Sequence, residues 1–384
     1  MNLRQWGNTR LVAAAAAFRV SVVALGLVAD AAHAEDVVFP GSSLRPRLHD
    51  MNGDGLLDLL YKDGAGLAVR LNDGQRGWKA KRVSTACPFG QSLTDFAPGD
   101  FTRDGVSDAV LLCQHSVAEL VLLVGDRRGG LAFAWNTLVA ASAESLEAED
   151  LTDDGWPDVV FGVDVHPSGS ARVLANTGPG TFAQTAQIAL LGGLDLRLLF
   201  ADFNLDGLKD FIAFHYQGYS PPVTTYLGDG QGRFTQGASL GIPGFIEGIA
   251  VGQFVVGRYL DLVVAWGIMW PEYHGTAVGG PGGFVMSAEG GNGLSGFLYF
   301  DAADLNGDGF TDLLGATSLG TNPRVYLSTG TGHFTPTGPI LYPSGGLPQI
   351  RDIDRDGLLD VMLDRAVVLY GLGGGAFGPP VPVD

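Results

Sequence analysis

Basic residues are the scarcest feature of this chain. In 384 residues, 23 Lys and Arg face 41 Asp and Glu, a formal net charge of −18. That balance excludes a nucleic-acid partner, because affinity for a phosphate backbone is driven by positive charge. No window of useful length repeats apolar residues at helical spacing, so no helix is predicted in the body of the chain. No nucleophile elbow, H-E-x-x-H or phosphate-binding loop occurs, which removes the usual sequence warrants for catalysis. The N-terminal apolar stretch, Leu11 to Ala29, is split by Arg19, and neither half reaches the roughly 20 residues that cross a bilayer. Cysteine is limited to Cys87 and Cys113.

Residues 1–34 read instead as a cleaved secretory signal. Arg4 and Arg10 lead, the apolar stretch follows, and Ala32-His33-Ala34 offers small residues for cleavage before Glu35. The expected location is periplasmic or extracellular, with no membrane span after cleavage and, since no cysteine lies near the site, no lipid attachment. An oxidising compartment would let Cys87 and Cys113 pair. Cys113 reads equally well as a core residue of the apolar run "DAVLLC". With 46% hydrophobic residues and 58 glycines, the remainder, residues 35–384, is globular.

That remainder repeats. "DMNGDGLLD" begins at Asp50, and related stretches follow at Asp100, Asp150, Asp202, Asp304 and Asp352. A decayed copy, "QFVVGRYLD", begins at Gln253. Seven starts about fifty residues apart define seven units. In each, an apolar segment precedes the acidic loop, two further strand-like segments follow, and a glycine-rich turn leads to an aromatic: Trp78, Phe133, Phe182, Phe234, Phe284, Phe334 and Phe377. The turns suit hairpins because glycine tolerates positive φ. The spacing leaves no room for helices between strands. The predicted fold is all-β, a single seven-bladed β-propeller of four-stranded antiparallel blades. Either "FGPPVPVD" at the C-terminus or "DVVFPG" near Asp36 would supply the strand that closes the ring.

The acidic loop, the apolar strand and the Gly-x-Gly-x-Phe turn resemble the FG-GAP, or VCBS, repeat of the integrin α-subunit propeller. The resemblance covers about residues 43–384 and implies calcium in the loops, but no single activity. Carboxylates so close together need a counter-ion, and calcium accepts six to eight hard oxygen ligands. One structural ion is expected in each of six loops. Its ligands would be side chains at loop positions one, three, five and nine and the carbonyl at position seven, with the glycine at six making the turn. In order these are Asp50, Asn52, Asp54, Leu56 and Asp58; Asp100, Thr102, Asp104, Val106 and Asp108; and Asp150, Thr152, Asp154, Trp156 and Asp158. The second half supplies Asp202, Asn204, Asp206, Leu208 and Asp210; Asp304, Asn306, Asp308, Phe310 and Asp312; and Asp352, Asp354, Asp356, Leu358 and Asp360. An EF-hand is excluded, because its twelfth-position glutamate is replaced by Tyr61, Leu111, Phe161, Ala213, Gly315 and Leu363. The fifth unit, with Gln253, Val255 and Gly257 at the first three ligand positions, is expected to be metal-free, its Asp261 pairing with Arg258.

Saturated loops leave function to the opposite face. There "FHYQGYSPP" and "AWGIMWPEYHG" place His215, Tyr216, Tyr219, Trp266, Trp270, Glu272, Tyr273 and His274 on neighbouring blades four and five. If exposed, such aromatics stack on sugar rings or anchor protein partners; the alternative is that Trp266 completes the second strand in the core and that Trp270 and Tyr273 pack the long loop onto the blade. The expectation is a binding or adhesion module for carbohydrate or protein, not an enzyme. The alternatives are a polysaccharide lyase or hydrolase using upper-loop histidines such as His115 and His166, and a pure protein-interaction scaffold.

Overall fold

A computed structural model describes residues 22–23 and 46–383, except 65, 86, 88–89, 141, 166–167, 191–193, 218–221, 268–272, 290–293, 295–298, 317–322, 341–347 and 364–366. The expected signal and "DVVFPG" lie outside these residues, apart from Val22–Val23, which pairs in parallel with Ile249 and Ala250.

The described residues from Arg47 onward form seven four-stranded antiparallel sheets and no helix. Blade one is Arg47–His49, Asp58–Asp63, Gly66–Arg70 and Arg82–Thr85. Blade two is Ser92–Gly99, Asp108–Gln114, Ala118–Gly125 and Leu131–Ala140, and blade three Glu144–Glu149, Asp158–Val165, Ser168–Asn176 and Phe182–Leu190. Blade four is Leu194–Ala201, Asp210–Gln217, Pro222–Gly228 and Phe234–Gly241, and blade five Phe245–Gly252, Asp261–Gly267, Tyr273–Gly280 and Gly283–Glu289. Blade six is Tyr299–Ala303, Asp312–Ala316, Arg324–Ser328 and Phe334–Pro339, and blade seven Pro348–Arg351, Asp360–Leu363, Val367–Gly373 and Ala376–Pro382. In every blade the acidic loop joins the first strand to the second, so the connection between the second and third lies at the opposite end.

The core is divided into layers between blades. In the second strand of blade two, Ala109, Leu111 and Cys113 face blade one, whereas Val110 and Leu112 face blade three. Both faces of such a strand are covered, so its sequence is a continuous apolar run rather than an alternation. Seven buried clusters correspond to seven interfaces, the last joining Leu48, Leu59 and Tyr61 of blade one to Met362, Val368 and Tyr370 of blade seven.

Each blade uses four consecutive strands, and blade seven keeps its own outer strand. Among the described residues the ring closes without strand exchange, through the apolar layer and a few polar contacts. Arg70 Nη1 donates to the Val383 carbonyl at 3.0 Å. Asn72 Nδ2 donates to the Ile353 carbonyl at 2.8 Å, and Gln349 Nε2 to Pro46 at 3.1 Å.

Cys87 and Cys113 form a disulfide, buried in the layer between blades one and two, with Cα atoms 5.7 Å apart. Charged groups on the inner strands also tie blades together. Arg47 Nη1 donates to Glu147 Oε2 at 3.0 Å, and its Nη2 lies 3.7 Å from Asp95 Oδ1. Asp95 accepts the Leu146 N–H of blade three, and Asp301 the Ile350 N–H of blade seven.

Candidate functional site

The acidic loops share one backbone shape. Position four is left-handed in each (Gly53, Arg103, Asp153, Leu205, Gly307 and Arg355), as is the glycine at six. Two left-handed residues so close together fold the chain around the first aspartate. Asp50 Oδ1 accepts the N–H groups of Gly53 and Asp54 at 2.8 and 3.2 Å, and Oδ2 that of Gly55 at 2.6 Å. Asp202 and Asp304 repeat the pattern. Successive loops touch along the face: a Cβ on Gly53 would meet the Gly105 carbonyl oxygen at 2.1 Å. The Arg103 guanidinium lies 4.9 Å from the Trp156 ring, and Arg355 packs over Gly55.

The ninth-position aspartate has a part that the sequence reading gave only to metal. Asp58 is fully buried; Oδ2 accepts the Met51 N–H at 2.9 Å and Oδ1 the Asn72 N–H at 2.8 Å, joining the loop to the end of the third strand. Asp108, Asp158, Asp210, Asp312 and Asp360 do the same. So does Asp261 in the decayed unit, which accepts Phe254, Val255 and Gly279 N–H groups at 3.1, 2.8 and 3.0 Å. Asp261 therefore staples backbone instead of pairing with Arg258, whose guanidinium lies 5.2 Å from the Tyr259 ring. Burial pushes these carboxyls up, Asp58 and Asp312 to about 7 and Asp108, Asp158, Asp210 and Asp360 to about 6, against the pull of the donated N–H groups.

The donor set fits a hard divalent cation. It consists of oxygen alone, and the side chains at positions three and five already converge: Asn52 Nδ2 donates to Asp54 Oδ2 at 3.0 Å, with equivalents at Asn204–Asp206 and Asn306–Asp308. In blade seven an aspartate replaces that asparagine, and carboxylate oxygens of Asp352, Asp354 and Asp356 lie within 4.8 Å of one another. Arg76 of blade one reaches this trio, with Nε 2.7 Å from Asp354 Oδ2 and Nη2 3.3 Å from Asp356 Oδ2. In blade five, Gln253 folds its amide back onto the Val255 carbonyl.

The glycine-rich turns do more than reverse the chain. Gly180, Gly232, Gly332 and Gly375 each donate an N–H to the second loop residue of the preceding blade: Phe101, Leu151, Phe254 and Leu305, at 2.8, 3.2, 3.0 and 2.9 Å. The aromatic after the turn packs the interface, except in blade two. There Leu131 pairs with Gly125 at that register and Phe133 is exposed.

At the opposite end the expected ligand residues separate into two environments. Trp266 is buried and stacks on Tyr273, centroids 6.2 Å apart and planes 18° apart, while Tyr273 is 46% exposed. His274 is buried against Phe300, and burial pushes its imidazole down to about 4, so it is neutral. His215 is buried beside Gly169. Tyr216 continues the second strand of blade four; its side chain lies outside the described residues, as do Tyr219, Trp270, Glu272 and His166. His115 is exposed.

A family model described as an FG-GAP-like repeat matches residues 150–213 and 280–363. These FG-GAP-like repeats and the seven four-stranded blades fit an FG-GAP repeat β-propeller. No curated protein matches the sequence. Among solved structures, the Dos1 propeller is 12% identical with a TM-score of 0.51, covering 94% of both chains. An Agrocybe aegerita lectin specific for non-reducing terminal N-acetylglucosamine is 19% identical at TM-score 0.43, over 89% of this chain and 81% of the other. The exotype rhamnogalacturonan lyase YesX is 12% identical at TM-score 0.44, over 94% and 72%. At these identities the likeness is one of fold.

Proposed function

We propose that this propeller is an exported, calcium-stabilised binding module that takes a carbohydrate on the face opposite the acidic loops. The observation that carries the reading is Tyr273, half exposed at the upper end of blade five with its ring backed by buried Trp266. A supported aromatic face is the surface on which a sugar ring stacks, because it is pre-ordered and costs little side-chain entropy on binding. Export is supported by the Cys87–Cys113 disulfide, which persists in an oxidising compartment.

Calcium would be held by the loop residues named above in blades one to four and six, and would supply the positive charge that lets their carboxylates lie together. The chain's own share is to fix those oxygens: backbone N–H groups hold the first aspartate, and the ninth is locked to the third strand.

A glycan array tests the ligand. Binding that Tyr273→Ala abolishes at unchanged melting temperature supports the sugar reading. An array without signal, together with a protein partner whose capture needs Tyr273, overturns it in favour of a protein-interaction scaffold. Turnover of a polysaccharide would place the protein among lyases or hydrolases.

A further inference from the structure

The seam between blades seven and one departs from the other interfaces at one turn position. Four residues after the turn's first position the chain has Gly129, Gly180, Gly232, Gly332 and Gly375, all at positive φ. In blade one that slot holds Arg76, also left-handed at φ 62°. A non-glycine residue pays a steric penalty there. Its side chain runs back to the loop of blade seven, where it contacts Asp354 and Asp356 and lies over the Tyr370 ring, with Cζ 4.3 Å from the centroid. Asp354 is only 8% exposed. That aspartate stands where the loops of blades one, four and six carry Asn52, Asn204 and Asn306 and those of blades two and three carry Thr102 and Thr152. The extra acid and the misplaced arginine therefore occur together, one on each side of the same seam.

We propose that the loop of blade seven is closed by the Arg76 guanidinium in place of a bound divalent ion. Arg76 is a built-in counter-cation: it neutralises the most acidic trio of the ring and latches the last blade to the first whether or not calcium is present. A guanidinium suits the task because its planar fork meets two carboxylates at once while its face rests on an aromatic ring. The other loops, with one fewer carboxylate and a glycine in the facing turn, keep their cation position open. The metal half of this proposal rests on the calcium reading above; the latch does not.

The experiment uses the whole chain and the variants Arg76→Gln and Asp354→Asn, singly and together, melted in excess chelator and titrated with terbium as a luminescent calcium probe. In chelator, Arg76→Gln should lower the melting temperature, and the double variant should fall less than the sum of the two single losses, because both remove the same contact. With terbium, Arg76→Gln should bind one more ion per chain than wild type. The added luminescence should vanish when Tyr370→Phe removes the adjacent sensitising ring. Additive losses in chelator would overturn the latch. A wild-type chain that already binds as many ions as Arg76→Gln would overturn the exclusion of metal. If neither chain binds terbium, the calcium reading falls, and the chelator melts alone decide the latch.

Discussion

Asp261 separates the two roles of the ninth-position aspartate, because it keeps the staple in a unit that lacks the other loop acids. Asp261→Ala would leave three backbone N–H groups, those of Phe254, Val255 and Gly279, without their acceptor in a buried site. A buried donor left unmade costs about 1–2 kcal/mol, so the three give about 3–6 kcal/mol. Unfolding entropy of about 2.1 cal/mol/K per residue over residues 35–384 turns that into a fall of about 4–8 °C. Calorimetry in excess calcium and in excess chelator should return the same fall in both. The matched change Asp210→Ala should show a similar fall in chelator and a larger one in calcium, because it removes both the staple and an ion ligand. A fall of less than about 1 °C for Asp261→Ala, or one that depends on calcium, would refute the staple.

Three other outcomes follow from the same geometry. Chelation should lower the melting temperature of the wild-type chain, since ions that bind only the folded state stabilise it by mass action; an unchanged melt would sink structural calcium. Replacing Cys87 and Cys113 with alanine should cost about 3.5 kcal/mol, the chain-entropy value for a loop of their separation, 26 residues, and a melt within about 1 °C of wild type would contradict it. Asp301, pushed by burial up to about 7 despite Arg351 and two donated N–H groups, holds a proton when folded that it releases when unfolded. Its contribution to stability is therefore complete below the unfolded value of 3.8 and is lost as pH rises through about 7. Asp301→Asn should flatten the fall in stability across that window by up to about 1.4 kcal/mol per pH unit, and parallel pH profiles for the two proteins would disprove the assignment.

The fifty-residue period carried the architecture, because each blade repeats one loop and one turn and the unit is too short to hold a helix. Apolar runs such as "DAVLLC" marked strands covered on both faces. The staple was legible in principle: Asp261 survives where its loop partners have gone, a pattern that metal binding alone does not explain. Position four escaped because Arg103, Asp153, Leu205 and Arg355 do not advertise positive φ as glycine does. Arg76 escaped for a different reason: its partners are about 280 residues away, and only ring closure brings them together. Ring closure and the cysteine pairing were open in the sequence because neither leaves a local pattern. At the upper rim, residue type did not foretell exposure. Trp266 and His274 alternate into the core from strands whose Tyr273 faces outward.

The absence of strand exchange among the described residues means that the interface between blades seven and one is, like the other six, an apolar layer with no shared strand. Where the polypeptide is cut is then a matter of topology rather than of stability. A circularly permuted chain that starts at Ser92, with blade seven joined to blade one by a short linker and the cut placed between blades one and two, should assemble the same ring. Such a permutant has one weak point in a new place, where Cys87 and Cys113 would still tie the cut edges together.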